Sequence, residues 1–266
     1  MKDYLISVVV GDMCGAPYEF KRWRTKSENY IDLNNKYQKF TDDSVCTFAV
    51  ASWLLNDKEH RPDLSTTLRT LCNLVPGAGY GGMFRKWLAD DKMGPYGSYG
   101  NGSAMRVSAV SLVAQDEDEV MRLAEESCLP THNHRDAIIG AQVTALLGWK
   151  LLRGAGKEVA KELLEMYYPN WKMGYKELQK KYSFRPSAQE TVPAAIIAFL
   201  ESSDFEDNLL KNIALGGDAD TLCAISAPWA YAYYKEMPEV LVQRAKGKLP
   251  SWMNNINEKM NEIYGK

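Results

Sequence analysis

A chain of 266 residues with 45% hydrophobic side chains can bury a large core. Its 32 basic and 34 acidic residues nearly cancel and form no basic stripe, so charge does not indicate nucleic-acid capture. The scattered cysteines Cys14, Cys46, Cys72, Cys128 and Cys223 contain no C-x-x-C pair, which argues against a zinc knuckle or dithiol motif and points to a reducing compartment.

The chain opens with only about six apolar residues before Gly11-Asp12, too few for a leader. No run approaches the roughly 20 apolar residues of a bilayer span, so a cytoplasmic protein without a membrane partner is expected. The 6–10 stretch is the best strand candidate and fits a helix equally. Beyond it, apolar spacing predicts helices over 43–55, 63–74, 103–114, 118–128, 135–152, 192–200, 204–215, 221–234 and 239–248. Asp63, Ser65 and Asp204 stand where helix caps belong. Segments 45–51 and 222–230 are apolar on nearly every side and belong at the centre of a bundle. Pro228 is expected to kink the second or end its regular hydrogen bonding. Glycine-rich loops at 76–82 and 94–102 have the composition of ligand loops. With no repeat or long linker, residues 1–266 read as a single all-α domain.

Both central helices start in carboxylates: Thr41-Asp42-Asp43-Ser44 before one, Gly216-Gly217-Asp218-Ala219-Asp220-Thr221 before the other. One cap needs one side chain, and a helix N-terminus supplies only about half a positive charge. The surplus acids repel one another unless a cation lies between them. If the two N-termini align, Asp42, Asp43, Asp218 and Asp220 converge, with hydroxyls from Thr41 and Thr221. Such an all-oxygen set suits two adjacent magnesium ions. Glu19 follows a glycine-proline break where the chain leaves its first helix; it either joins this cluster or is a solvated acid near Lys21 and Arg22.

Gly97, Ser98, Tyr99, Gly100, Asn101 and Gly102 open the helix that carries Arg106. Glycines let backbone N–H groups approach a ligand, and a helix N-terminus favours phosphate. Tyr99 offers a flat face to a base or ribose. The loop is neither a Walker A segment, lacking the lysine, nor a dinucleotide fingerprint, lacking a preceding strand. His132 and His134 are too poor a set for a metal site; His60 stands alone by a charged turn, and His132 reads as a substrate-contacting or capping group.

These segments resemble the ADP-ribosylglycohydrolase family, especially its compact bacterial members. The matching stretches are 11–20, 40–44, 95–107, 131–134 and 216–221, in family order along nearly the whole chain. The resemblance implies an all-α fold and hydrolysis of an ADP-ribosyl N- or O-glycosidic bond at a dinuclear magnesium site. It places Thr41, Asp42, Asp43 and Asp220 around one ion and Asp218, Asp220 and Thr221 around the other. Glu19 matches the glutamate that closes the site or contacts substrate. The 97–102 loop matches the cradle for pyrophosphate and distal ribose, Tyr99 an aromatic near adenine, and His132 a histidine beside the ligand. Bond cleavage at the anomeric carbon builds oxocarbenium character, and either Asp218 or Glu19 would take the proton from water. The expected partner is ADP-ribose or an ADP-ribosylated substrate, a modified nucleobase included. Ser44 and Ala219 depart from the commoner residues without touching the metal set. Ala227-Pro228-Trp229 replaces a glycine-containing stretch, and 189–194 keeps the pattern only in part; both bear on substrate identity. Alternatives are a non-catalytic ADP-ribose-binding or toxin-blocking protein of the same fold, and a helical two-metal phosphohydrolase, which would need a His-Asp pair that His134-Arg135-Asp136 does not offer.

Overall fold

The computed structural model describes residues 1–20, 27–56 and 61–265. Lys21, Arg22 and His60 therefore lie outside the described residues. The chain is built from α1 (Tyr4–Gly15), α2 (Asp42–Leu54), α3 (Leu64–Cys72), α4 (Gly82–Ala89), α5 (Gly102–Met105), α6 (Ser108–Val113), α7 (Glu117–Cys128) and α8 (Arg135–Leu152). It continues through α9 (Glu158–Tyr167), α10 (Tyr175–Lys181), α11 (Ala188–Glu201), α12 (Phe205–Leu215), α13 (Ala219–Tyr234), α14 (Glu239–Lys248) and α15 (Ser251–Tyr264). Among the described residues, β pairing is limited to one bridge between Gly100 and Ser187. No helix there is long and apolar enough to cross a membrane. The fold is all-α.

The 6–10 stretch is helical, part of α1, whose twelve residues are all buried. A helix without a polar face must sit inside, and α1, α2 and α13 form the middle of one continuous apolar cluster. Contact between α1 and α13 is at backbone distance. A Cβ on Gly11 would stand 2.3 Å from the Cys223 carbonyl oxygen, and one on Gly15 2.3 Å from that of Ala219. Only glycine lets the two backbones meet there. The start of α13 is thereby fixed against the end of α1.

Three expectations change. The predicted 103–114 helix is two, α5 and α6, broken at Arg106 and Val107. Both junction residues keep φ/ψ values near the helical region, at −96°/0° and −90°/−10°, so apolar spacing runs through the break unaltered. Of the two outcomes expected at Pro228, a kink or an end to regular hydrogen bonding, the helix does not end there and α13 continues to Tyr234. A proline removes one helical donor, and Trp229 beside it is anchored by Nε1 donating to the Thr144 carbonyl at 3.1 Å. Helices α4, α9, α10 and α15 were not foreseen.

Candidate active site

The site is assembled by Asp12. This carboxylate sits on α1 with no solvent exposure and faces the start of α2. Its Oδ2 accepts from the backbone N–H of Thr41 at 2.8 Å and of Ser44 at 3.1 Å, and from the Ser44 hydroxyl. Its Oδ1 lies 2.8 Å from Thr41 Oγ1. The first turn of α2 is therefore capped from another helix, and Ser44 supplies the hydroxyl that a threonine would. Burial lifts the Asp12 carboxyl to about 6 although these donors pull it down.

Around this corner the predicted acids meet. Carboxylate oxygens of Asp12, Asp43 and Asp220 lie within 4.8 Å of one another, and so do those of Glu19, Asp218 and Asp220. Thr41 Oγ1 is 3.2 Å from Asp43 Oδ2, whereas Asp43 Oδ1 is buried with no hydrogen-bond partner. Asp220 Oδ1 accepts from the Thr221 N–H at 2.9 Å, and Asp218 Oδ2 from Asn101 Nδ2 at 2.8 Å. Asp42 lines the cleft beside the cluster but belongs to neither triad. Burial first, then Asp218 and Asp42, pushes Glu19 up to about 8. Burial and then Asp12 raise Asp42 to about 7. Asp43 and Asp220 are driven well above the carboxylate range by burial and by neighbouring acids. Packed carboxylates that cannot all ionise, an orphaned oxygen and an all-oxygen donor set fit hard divalent cations.

Above the cluster opens a cleft of about 810 Å³. The 97–102 loop forms one wall and is pinned on two sides. Gly97 N–H donates to Asn133 Oδ1 at 2.8 Å and Ser98 N–H to the Thr131 carbonyl at 3.3 Å. Asn101 N–H reaches the Pro186 carbonyl at 2.8 Å, and Ala188 N–H reaches that of Tyr99 at 3.0 Å. Gly97, at φ +66°, makes the turn. The amides of Gly97, Ser98, Gly100 and Asn101 are thus already used within the protein, the third by Ser98 Oγ at 3.2 Å. His132 is buried on the cleft wall, and a Cβ on Gly102 would come 2.9 Å from its Nε2. Tyr99 is exposed at the mouth, edge-on to His134. His134 caps α8 by accepting from the Asp136 N–H at 3.2 Å.

Sequence reading missed Asp12 as a site-building group. The signal was an acid in the middle of an apolar helix. It also missed Phe20 and Phe184, which stack at 5.2 Å and both line the cleft. Phe20 holds a left-handed φ of +60° directly after Glu19. The 183–184 segment lies on Gly217, where a Cβ would be 3.0 Å from the Ser183 carbonyl. Conversely, Ala227, Pro228 and Trp229 are buried in the core and do not line the cleft.

An all-helical frame gathering carboxylates beneath a glycine-walled cleft defines a protein with a candidate divalent-cation site, and comparison with known proteins resolves its class. The ADP-ribosylglycohydrolase family model matches residues 1–265: the chain belongs to that family, and it is an enzyme that hydrolyses glycosyl bonds. A Xenopus tropicalis protein named ADP-ribosylhydrolase ARH3 is 23% identical over 98% of this chain and 94% of its own length. The Mus musculus protein of that name is 26% identical over 78% and 73%. An uncharacterized Archaeoglobus fulgidus protein is 28% identical over 96% and 86%. A solved structure described as an ADP-ribosylglycohydrolase-related protein complex shares the fold, with a TM-score of 0.71 at 24% identity over 98% of this chain and 95% of that one.

Proposed function

We propose that the chain releases ADP-ribose from a modified protein, nucleic acid or small molecule by magnesium-dependent hydrolysis of an N- or O-glycosidic bond. The observation that carries this reading is the meeting of Asp43, Asp218, Asp220 and Glu19 beneath the cleft, with Asp43 Oδ1 unpartnered. Thr41, Asp42, Asp43 and Asp220 would hold one ion, and Asp218, Asp220 and Thr221 the other. When bound, the pair supplies charge that keeps the acids ionised, orients a ribose diol and makes water more acidic.

The chain's own groups then have separate tasks. Asp12 holds the α2 corner still through Thr41 and Ser44. Asn101 orients Asp218 by donating to its Oδ2, and is itself held by Nδ2 donating to Thr191 Oγ1 at 3.1 Å. Glu19, half-buried at the cleft edge, and Asp218 both line the cleft, and one of them would receive a proton from attacking water. Gly97, Ser98, Tyr99, Gly100, Asn101 and Gly102 shape the wall against which the pyrophosphate lies, with the Tyr99, Gly102 and Ser103 amides remaining for its oxygens. Tyr99 offers its ring to the adenine, and His132, packed against Gly100 and Gly102 of the same wall, contacts the ligand beside the loop. This reading treats residues 1–266 as one domain, as the continuous buried cluster supports. The five buried free cysteines support a reducing, cytoplasmic setting.

A panel of defined ADP-ribosyl linkages, through arginine, serine, a nucleobase and an acetyl ester, tests the proposal. At least one should release ADP-ribose with magnesium and none with excess chelator. Turnover unaffected by chelation would remove the metal from the reaction.

A further inference from the structure

Arg106, in the break between α5 and α6, is one of the largest fully buried side chains of the protein. Its guanidinium Nη2 donates to the Ser127 carbonyl at 2.6 Å and to Thr131 Oγ1 at 3.0 Å, while Nε reaches the same carbonyl at 3.2 Å. Thr131, with no solvent exposure, places that Oγ1 2.8 Å from His132 Nδ1. A guanidinium can only donate, so the Thr131 oxygen accepts the hydrogen bond from Arg106 Nη2–H and keeps its own single hydrogen to donate. Among the described residues the acceptor within reach of that hydroxyl is His132 Nδ1. Were Nδ1 protonated instead, the Thr131 hydrogen would be buried without an acceptor, which costs the desolvation of a polar group. The other ring nitrogen, Nε2, faces the glycines of the 97–102 loop, with the would-be Cβ positions of Gly102 and Gly100 at 2.9 and 3.5 Å.

We propose that Arg106 is a positioning residue that acts through Thr131 to hold His132 as the tautomer protonated on Nε2, a neutral donor presented to an acceptor oxygen of the ligand. The relay is directional: Arg106 to Thr131, Thr131 to His132, His132 to the cleft. Burial and the Arg106 charge both hold the His132 pKa well below the ordinary histidine value, so the ring stays uncharged. A neutral donor of this kind selects a phosphate, carbonyl or ether oxygen and requires no titration to do so. The relay rests on hydrogen-bond geometry; that the acceptor belongs to an ADP-ribosyl ligand rests on the proposed function.

The chain has three histidines, so long-range ¹H–¹⁵N correlation spectra of the intact protein resolve each ring, and His132→Gln assigns the one in question. The wild type should show His132 with a bare Nδ1 and a protonated Nε2. Thr131→Val, which keeps the shape and deletes the hydroxyl, should collapse this into averaged tautomers, and Thr131→Ser should restore it. Arg106→Lys, checked for folding by circular dichroism, should shift the Nδ1 signal. Calorimetric affinity for ADP-ribose should fall about ten-fold in Thr131→Val, the worth of one hydrogen bond, and recover in Thr131→Ser. A wild-type His132 protonated on Nδ1, or a Thr131→Val spectrum identical to wild type, overturns the relay. Wild-type protein that shows the Nε2 tautomer yet binds no ADP-ribose leaves the relay standing and counts against the proposed ligand alone.

Discussion

Asp220 is common to both carboxylate triads, whereas Asp43 and Asp218 each belong to one. If both ions share it, Asp220→Ala should abolish uptake of both and lower turnover by on the order of 10³-fold, comparable with losing a principal charge-stabilising group. Metal content by mass spectrometry after desalting, read beside turnover, checks this; two retained ions would refute the sharing. The clusters at 41–44 and 216–221 were legible because they held more acids than a helix cap can use. Asp12 was not, because a lone aspartate inside an apolar helix carries no spacing signal. Its partners at Thr41 and Ser44 are 29 and 32 residues away and become visible only once the helices pack.

Side-chain caps mark some of the helices read from the sequence and not others: α11, α13 and α14 start without one. Helices α3, α7, α8 and α12 begin with side chains that accept from the first turn: Asp63, Asp116, His134 and Asp204. The missed helices α4, α9, α10 and α15 begin at Gly81, Lys157, Gly174 and Pro250, none of which makes a side-chain cap. Helices α4, α9 and α15 nonetheless carry distinct apolar faces, a periodic signal that the sequence reading passed over. The contact of α1 with α13 makes a sharp prediction. Gly15→Ala would press a methyl group against the Ala219 carbonyl, between the site acids Asp218 and Asp220. It should cost about 1–3 kcal/mol of stability and, if the proposed ions are held there, weaken magnesium binding together. Gly247→Ala, where the added methyl group meets nothing within 4 Å, should instead leave stability equal or higher by about 0.5 kcal/mol. Denaturant unfolding of the two variants, with magnesium titrations, reads both effects. Equal behaviour would show that the backbone contact is slack.

Across the molecule, the acid cluster should couple stability to pH when no metal is present. Unfolded carboxyls titrate near 4, whereas Asp12, Asp42 and Glu19 are lifted to about 6, 7 and 8 in the fold. The folded chain then holds more protons than the unfolded chain between roughly pH 4 and 8, so stability declines as pH rises through that window. Thermal melts in chelator should show Tm falling from pH 5 to pH 8, and magnesium at pH 8 should raise it again by binding the folded form alone. A Tm that climbs with pH in chelator would contradict this charge arrangement.

The terminal segments are tied together as well. Asp3 accepts from Asn257 and Asn261 on α15 and pairs with Lys246 on α14. Closing a pocket between residue 12 and residue 220 also has a consequence for biosynthesis. A ribosome delivers Asp12, Asp42 and Asp43 long before Asp218 and Asp220, so a nascent chain carries half of a charged pocket and nothing to complete it. Such a half-made polypeptide lacks the acids that the start of α13 brings to the cluster. The cluster is complete only once the start of α13 has been made and packed against α1 and α2.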